Sequence, residues 1–143
     1  MNGKRIFMRI INEIKTIGMK KIISTTSAPG AIGPYSQAVE ANGTLYISGQ
    51  VAIDPATGKI VEGGITEQAE QVLKNIKAIL KAAGYSAADV VKSTCLLADM
   101  SDFKAMNEVY AKFYTEDQPA RAAYSVKGLP LGALIEIETI AVR

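Results

Sequence analysis

The segment Leu134-Ile-Glu-Ile-Glu-Thr-Ile-Ala-Val142 limits the possible folds of this chain more than any other. It reads as a strand, in which side chains alternate between two faces. Ile135, Ile137 and Ala141 then share one face, while Glu136, Glu138, Ile140 and Val142 share the other. Apolar residues on both sides mean that both sides are at least partly covered. A carboxylate on a covered face needs a cation, a hydrogen-bond donor or a chemical task.

The rest of the chain supplies the layers. Thr66 can cap a helix with Glu67 and Glu70 in its first turn. Ala69, Val72, Leu73, Ile76, Ile79, Leu80 and Ala83 form its apolar stripe, and Gly84 stops it. Lys74, Lys77 and Lys81 read as its solvated face. Ser101 or Asp102 can cap a second helix with Phe103, Met106, Tyr110 and Phe113 on one side. Strands are expected over residues 20–24, 35–41, 44–48, 88–97, 122–127 and 134–142. Asn42-Gly43 predicts a two-residue hairpin, because both positions tolerate positive φ. Gly49 ends the third strand, as a bulge or as a place of close backbone approach. Asp54-Pro-Ala-Thr-Gly58 is a turn, and residues 28–34, with two prolines and two glycines, are loop. The order β-β-β-α-β-α-β-β predicts an α+β domain, a mixed sheet with both helices on one face. A partner subunit is the simplest cover for the other face.

The chain has 143 residues, enough for one domain with a real core, and 48% of them are hydrophobic. No apolar run is as long as a membrane span. Histidine is absent, which removes the commonest general base and the commonest zinc ligand. The lone cysteine, Cys95, reads as a small buried hydrophobe. Its solitude rules out an intrachain disulfide and suits a reducing compartment, the cytoplasm. The formal charge is +2, but residues 1–18 carry Lys4, Arg5, Arg9 and Lys15 against Glu13, so the remaining 125 residues sum to −1. Charge therefore gives no argument for nucleic acid. Within residues 1–18, Phe7, Ile10, Ile11 and Ile14 fall at helical spacing. They read either as an amphipathic surface or targeting helix, or as an extension ahead of a domain that begins at Met19.

The candidate site residues each have two readings. Arg121, in Pro119-Ala120-Arg121, has the planar fork that grips a carboxylate through two parallel hydrogen bonds. It can equally pair with Glu136, Glu138 or Glu116. Glu136 can act as general base toward a water, or sit in an ion pair. Tyr35 can offer a phenol to a ligand, or pack in the core. If residues 122–127 and 134–142 formed a simple hairpin, Glu136 would lie opposite Tyr124. Arg121 would then stand roughly 10 Å along the strand, on the other face. A shared site therefore asks for a different strand order or for two subunits.

Six ordered blocks carry a resemblance. They are Ile32-Gly-Pro-Tyr-Ser-Gln37, Ile47-Ser-Gly-Gln50, Asp89-Val-Val-Lys92, Phe103-Lys-Ala-Met-Asn-Glu-Val-Tyr110, Pro119-Ala-Arg121 and Ile135-Glu-Ile-Glu138. From about Met19 to Arg143 the chain resembles the RidA/YjgF family of reactive-intermediate imine deaminases. The resemblance implies a chorismate-mutase-like fold and a homotrimer with sites in the clefts between subunits. It implies hydrolysis of 2-aminoacrylate and 2-iminobutanoate to 2-oxo acids and ammonia, without metal or redox cofactor. It assigns carboxylate binding to Arg121 and water orientation to Glu136, and it places Tyr35, Gly49 and Asn107 in the pocket. Some family members have a cysteine where this chain has Ala123, so only a backbone contact is available there. An RNA-acting translation inhibitor and a non-catalytic ligand-binding or holdase trimer are the competing readings.

Overall fold

The computed structural model describes residues 3–8 and 19–143. Residues 3–8 are helical and exposed. Ile10, Ile11 and Ile14 of the expected N-terminal stripe lie outside the described residues.

The domain is built from β1 (Lys21–Ile23), β2 (Ala38–Ala41), β3 (Thr44–Gln50), β4 (Ile53–Asp54), β5 (Lys59–Ile60), α1 (Ile65–Ala83), β6 (Val90–Leu97), α2 (Phe103–Phe113), β7 (Ala120–Ser125) and β8 (Ile135–Val142). Six strands form one mixed sheet in the order β1-β2-β3-β8-β6-β7, and β4 and β5 form a separate small hairpin around the expected 54–58 turn. Both helices cover the same face. Val72, Ile76, Ile79 and Leu80 of α1, with Met106 of α2, pack on Leu45, Cys95, Leu97, Ile135 and Ile137 of the sheet. Each such large aliphatic side chain contributes roughly 1.5–3 kcal/mol when fully buried.

The two-faced strand takes the central place it requires. β8 lies between β3 and β6, antiparallel to both. β7 does not form a hairpin with it. It runs parallel to β6 at the sheet edge, reached through α2 as a crossover. The chain then passes the end of β6 to insert β8 on its far side, with Val126 N–H donating to Leu97 O at 2.9 Å. The simple hairpin is therefore not formed, and the strand order is a different one. A strand whose residues are all half-buried or exposed belongs at an edge, and one carrying apolar residues on both faces does not.

Other boundaries shift for local reasons. The strand expected from Tyr35 begins at Ala38, because Tyr35 N–H turns back to Gly33 O at 2.8 Å. The strand expected over 122–127 is Ala120–Ser125. Gly64, not Thr66, precedes α1, and its N–H is taken by the Glu67 carboxylate at 2.8 Å. Ahead of α2 it is Asp99 that accepts from Ser101 N–H, at 2.8 Å, while the Asp102 side chain makes no cap bond. Gly84 stops α1 in the left-handed region, φ 77°, as its position predicts. Asn42 and Gly43 turn the β2–β3 hairpin at φ 51° and 75°.

The face away from the helices has no cover among the described residues. Ile22, Val39, Tyr46 and Ile140 lie in register across β1, β2, β3 and β8 on that side, and Tyr124, Leu96 and Glu136 share it on β7, β6 and β8. Ile22, Tyr46, Tyr124 and Val142 are each about half exposed, between 43% and 51%.

Candidate functional site

Arg121 stands on the edge strand in register with Ser93 of β6, which is fully buried on the helix-covered face. The side chain therefore points toward α2, and α2 meets it with one stripe: Phe103, Asn107 and Tyr110, spaced i, i+4, i+7. Arg121 Nη1 donates to Asn107 Oδ1 at 2.7 Å. The guanidinium carbon lies 4.7 Å from the Tyr110 ring centroid and 5.6 Å from that of Phe103. Among the described residues no carboxylate pairs with it, so no partner from Glu116, Glu136 or Glu138 is present within the chain. Its remaining N–H groups are open, which is the arrangement that receives a planar anion through a double hydrogen bond. Ala123 follows on the same face, beside Cys95. Burial pushes the Cys95 thiol up to about 11, against the opposing pull of Arg121, so this cysteine is a core residue and not a nucleophile.

Glu136 is on the opposite face. β3 shifts register between Ile47 and Gln50, and the irregularity brings Gly49 against the Glu136 carboxyl. A Cβ at Gly49 would collide with Glu136 Oε1 and stand 2.9 Å from its Cδ, so no other residue fits without displacing the acid. Burial, followed by the charge of Glu138, raises the Glu136 pKa above the ordinary carboxylate value. Tyr35 and Gly49 line one cleft, together with Gln37, Gln50 and Val51. The Tyr35 ring is exposed, not packed in the core, and its hydroxyl accepts from Ile32 N–H at 3.3 Å.

The six candidates thus fall into two groups. Arg121, Asn107 and Ala123 lie on the helix side of β7; Glu136, Gly49 and Tyr35 belong to the other side and end of the sheet. Arg121 and Glu136 are two strands and three residues apart, about 14 Å at usual sheet spacings, and they face opposite ways. One chain does not bring them together.

Three buried amides escaped the reading of the sequence. Gln37 ties down residues 25–29, accepting from Thr25 N–H at 2.7 Å and donating to Pro29 O at 2.7 Å. Asn75 donates to Ile53 O at 2.9 Å. Gln68 accepts from Leu134 N–H at 2.9 Å, two residues before Glu136. Asn75 interrupts the apolar stripe of its helix, the one signal available for it, whereas Gln37 and Gln68 stand among polar neighbours. Phe103 and Tyr110 were legible as a helix face, but not as the cradle of an arginine.

A family model described as Endoribonuclease L-PSP matches residues 25–143. The chain is 57% identical over 125 residues to 2-iminobutanoate/2-iminopropanoate deaminase of Mus musculus, covering 87% of this chain and 93% of that one. This chain belongs to the RidA/YjgF family. The human deaminase is 54% identical over the same length, covering 91% of that protein. Among solved structures, RidA from an Antarctic Psychrobacter superposes with a TM-score of 0.84 at 50% identity, covering 86% of this chain and 99% of that one. Escherichia coli TdcF with bound serine gives 0.83 at 44% identity, covering 86% and 98%. The mixed sheet with its helices on one face is therefore the RidA/YjgF fold. No helix among the described residues is long and apolar enough to cross a membrane.

Proposed function

We propose that this chain is a 2-iminobutanoate/2-iminopropanoate deaminase. It hydrolyses small reactive enamine and imine acids to 2-oxo acids and ammonia. The observation that carries the reading is Arg121: a guanidinium held by α2, with open N–H groups and no carboxylate partner among the described residues. A small 2-imino acid supplies that carboxylate. The serine bound to TdcF offers the same pair of handles, a carboxylate and a nitrogen on the adjoining carbon.

The two half-sites meet in a homotrimer, with Arg121, Asn107 and Ala123 of one protomer facing Glu136, Gly49 and Tyr35 of its neighbour. The exposed apolar sheet face supports such an assembly, because a patch of this kind is normally covered. Arg121 fixes the substrate carboxylate. Backbone groups at Gly49 and Ala123 orient the nitrogen, and Tyr35 narrows the pocket. Glu136 takes a proton from a water as its oxygen bonds to the imine carbon. It returns that proton to the nitrogen, giving a carbinolamine. The hydroxyl proton then passes through Glu136 to the same nitrogen as the carbonyl forms and the C–N bond breaks, releasing ammonia. Imines hydrolyse readily in water, so positioning plus one acid/base group, typically worth about 10²–10⁴-fold, suffices. Residues 19–143 form the working unit, in the cytoplasm.

The test is ammonia and 2-oxo acid release from an enamine generated by a pyridoxal-phosphate dehydratase, with and without this protein. No acceleration would remove the reading. The family description favours a second reading, action on RNA. The net charge of −1 over residues 19–143 opposes it. Salt-dependent RNA binding by residues 19–143 would restore it.

A further inference from the structure

Tyr110 faces two ways. Its ring closes the core beside Tyr114, with centroids 4.7 Å apart, and Tyr114 is in turn held edge-on by Phe113 at 4.7 Å. Its other face carries the Arg121 guanidinium. Among the described residues the buried hydroxyls of Tyr110, Ser93, Tyr114 and Thr139 make no hydrogen bond of ordinary geometry, although Ser93 lies close to both tyrosine oxygens. The ring, and not the oxygen, is what this residue presents to Arg121. An aromatic face locked by its neighbours is a fixed seat for a cation. Asn107 then sets the rotation of the guanidinium about its axis by taking one Nη1 hydrogen. Phe103, at 5.6 Å, closes the seat further along the helix.

We infer that the α2 stripe Phe103–Asn107–Tyr110 is a positioning device for substrate capture, in which the Tyr110 ring holds the Arg121 guanidinium ready for a carboxylate. The inference deepens the deaminase reading and rests on it. A long arginine side chain on an edge strand has several rotatable bonds, and freezing them beforehand removes an ordering cost that binding would otherwise bear. The device acts on affinity and leaves the hydrolytic step at Glu136 untouched.

The experiment compares the full chain with its Tyr110→Leu and Tyr110→Phe variants. Ammonia release by the parent is measured first, and its absence counts against the deaminase reading alone. Titration of 2-oxobutanoate, the product acid, reads carboxylate capture whether or not turnover is seen. Tyr110→Leu raises KM and weakens 2-oxobutanoate by about tenfold, with kcat within about twofold of the parent. Tyr110→Phe, which keeps the ring, brings both values back to within about twofold. A lowered melting temperature with KM and product affinity unmoved in Tyr110→Leu would make Tyr110 a packing residue and overturn the inference. So would a Phe variant as weak as the Leu variant. If Tyr110→Leu does not fold, Phe103→Leu reads the same seat from its partly buried side, and unmoved product affinity there is equally decisive.

Discussion

Arg121 and Glu136 ask different things of their surroundings. The use of the guanidinium depends on its geometry. A lysine at that position presents a single ammonium in place of a fork and cannot reproduce a double hydrogen bond. Arg121→Ala is expected to abolish deamination, and Arg121→Lys to lower kcat/KM on the order of a hundredfold, mainly through KM. Size-exclusion chromatography should show the assembly intact in both, since Arg121 lies on the helix side of β7 and not on the exposed apolar sheet face. The use of Glu136 depends on its proton. Its pKa is raised by burial first and then by Glu138, so the folded protein binds that proton more tightly than the unfolded chain does. The stability this gives is complete below the unfolded glutamate value of about 4.3 and is lost as pH rises through the raised folded value. Turnover that needs the carboxylate rises through that same raised value. Glu136→Gln therefore lowers kcat more than it weakens 2-oxobutanoate, and it removes the acidic limb of the pH–rate curve. Its stability relative to the parent, measured in urea, should also be greater near pH 7 than near pH 4. A parent whose rate is flat through the acid range would deny Glu136 the role of base.

Elements in this domain are tied together by amides that a hydrophobic stripe conceals. Asn75 is fully buried in α1, and it satisfies the carbonyls of Val51 and Ile53 while accepting from Gln71. Asn75→Ala strands those groups, and the expected cost is about 1–3 kcal/mol, read as a lower urea midpoint with an unchanged slope. The same amides mark the boundary of what the sequence discloses. Local periodicities were readable: the alternation of β8, the stripe of α1, the Asn42-Gly43 turn and the Gly84 stop each follow from short-range geometry. The place of β7 was not, because hairpin and crossover obey the same local pattern and differ only in which strand tolerates an edge. The cap of α1 was misjudged because Glu67 reaches back to Gly64, leaving Thr66 without that duty. Tyr35 reads as strand because nothing nearby in the sequence announces that Gln37 pins the preceding loop. The candidate site residues come as a set from the family resemblance. Their division between two faces was half visible, since even the wrong hairpin put Arg121 and Glu136 on opposite sides, and the registers through β6 keep them there.

At the scale of the whole molecule, the sheet is finished on one side only. Ile22, Tyr46, Tyr124 and Val142 are left about half exposed on a face that also holds the Glu136 half of the site. Covering that face and completing the site become one event if the cover is another copy of the chain. Tyr46→Lys, placed in the middle of the apolar row, should give a folded monomer by light scattering that has lost deamination, although it alters no residue of either half-site. A sharper outcome comes from mixing. Arg121→Ala lacks the guanidinium and Glu136→Gln lacks the base, so each alone falls far below the parent. When the two variants are unfolded together and reassembled in equal amounts, a site shared between neighbours finds an intact Arg121 beside an intact Glu136 in about a quarter of random pairings. Roughly a quarter of parental activity should return. A site confined to one chain would return none, because every protomer in the mixture carries one defect or the other.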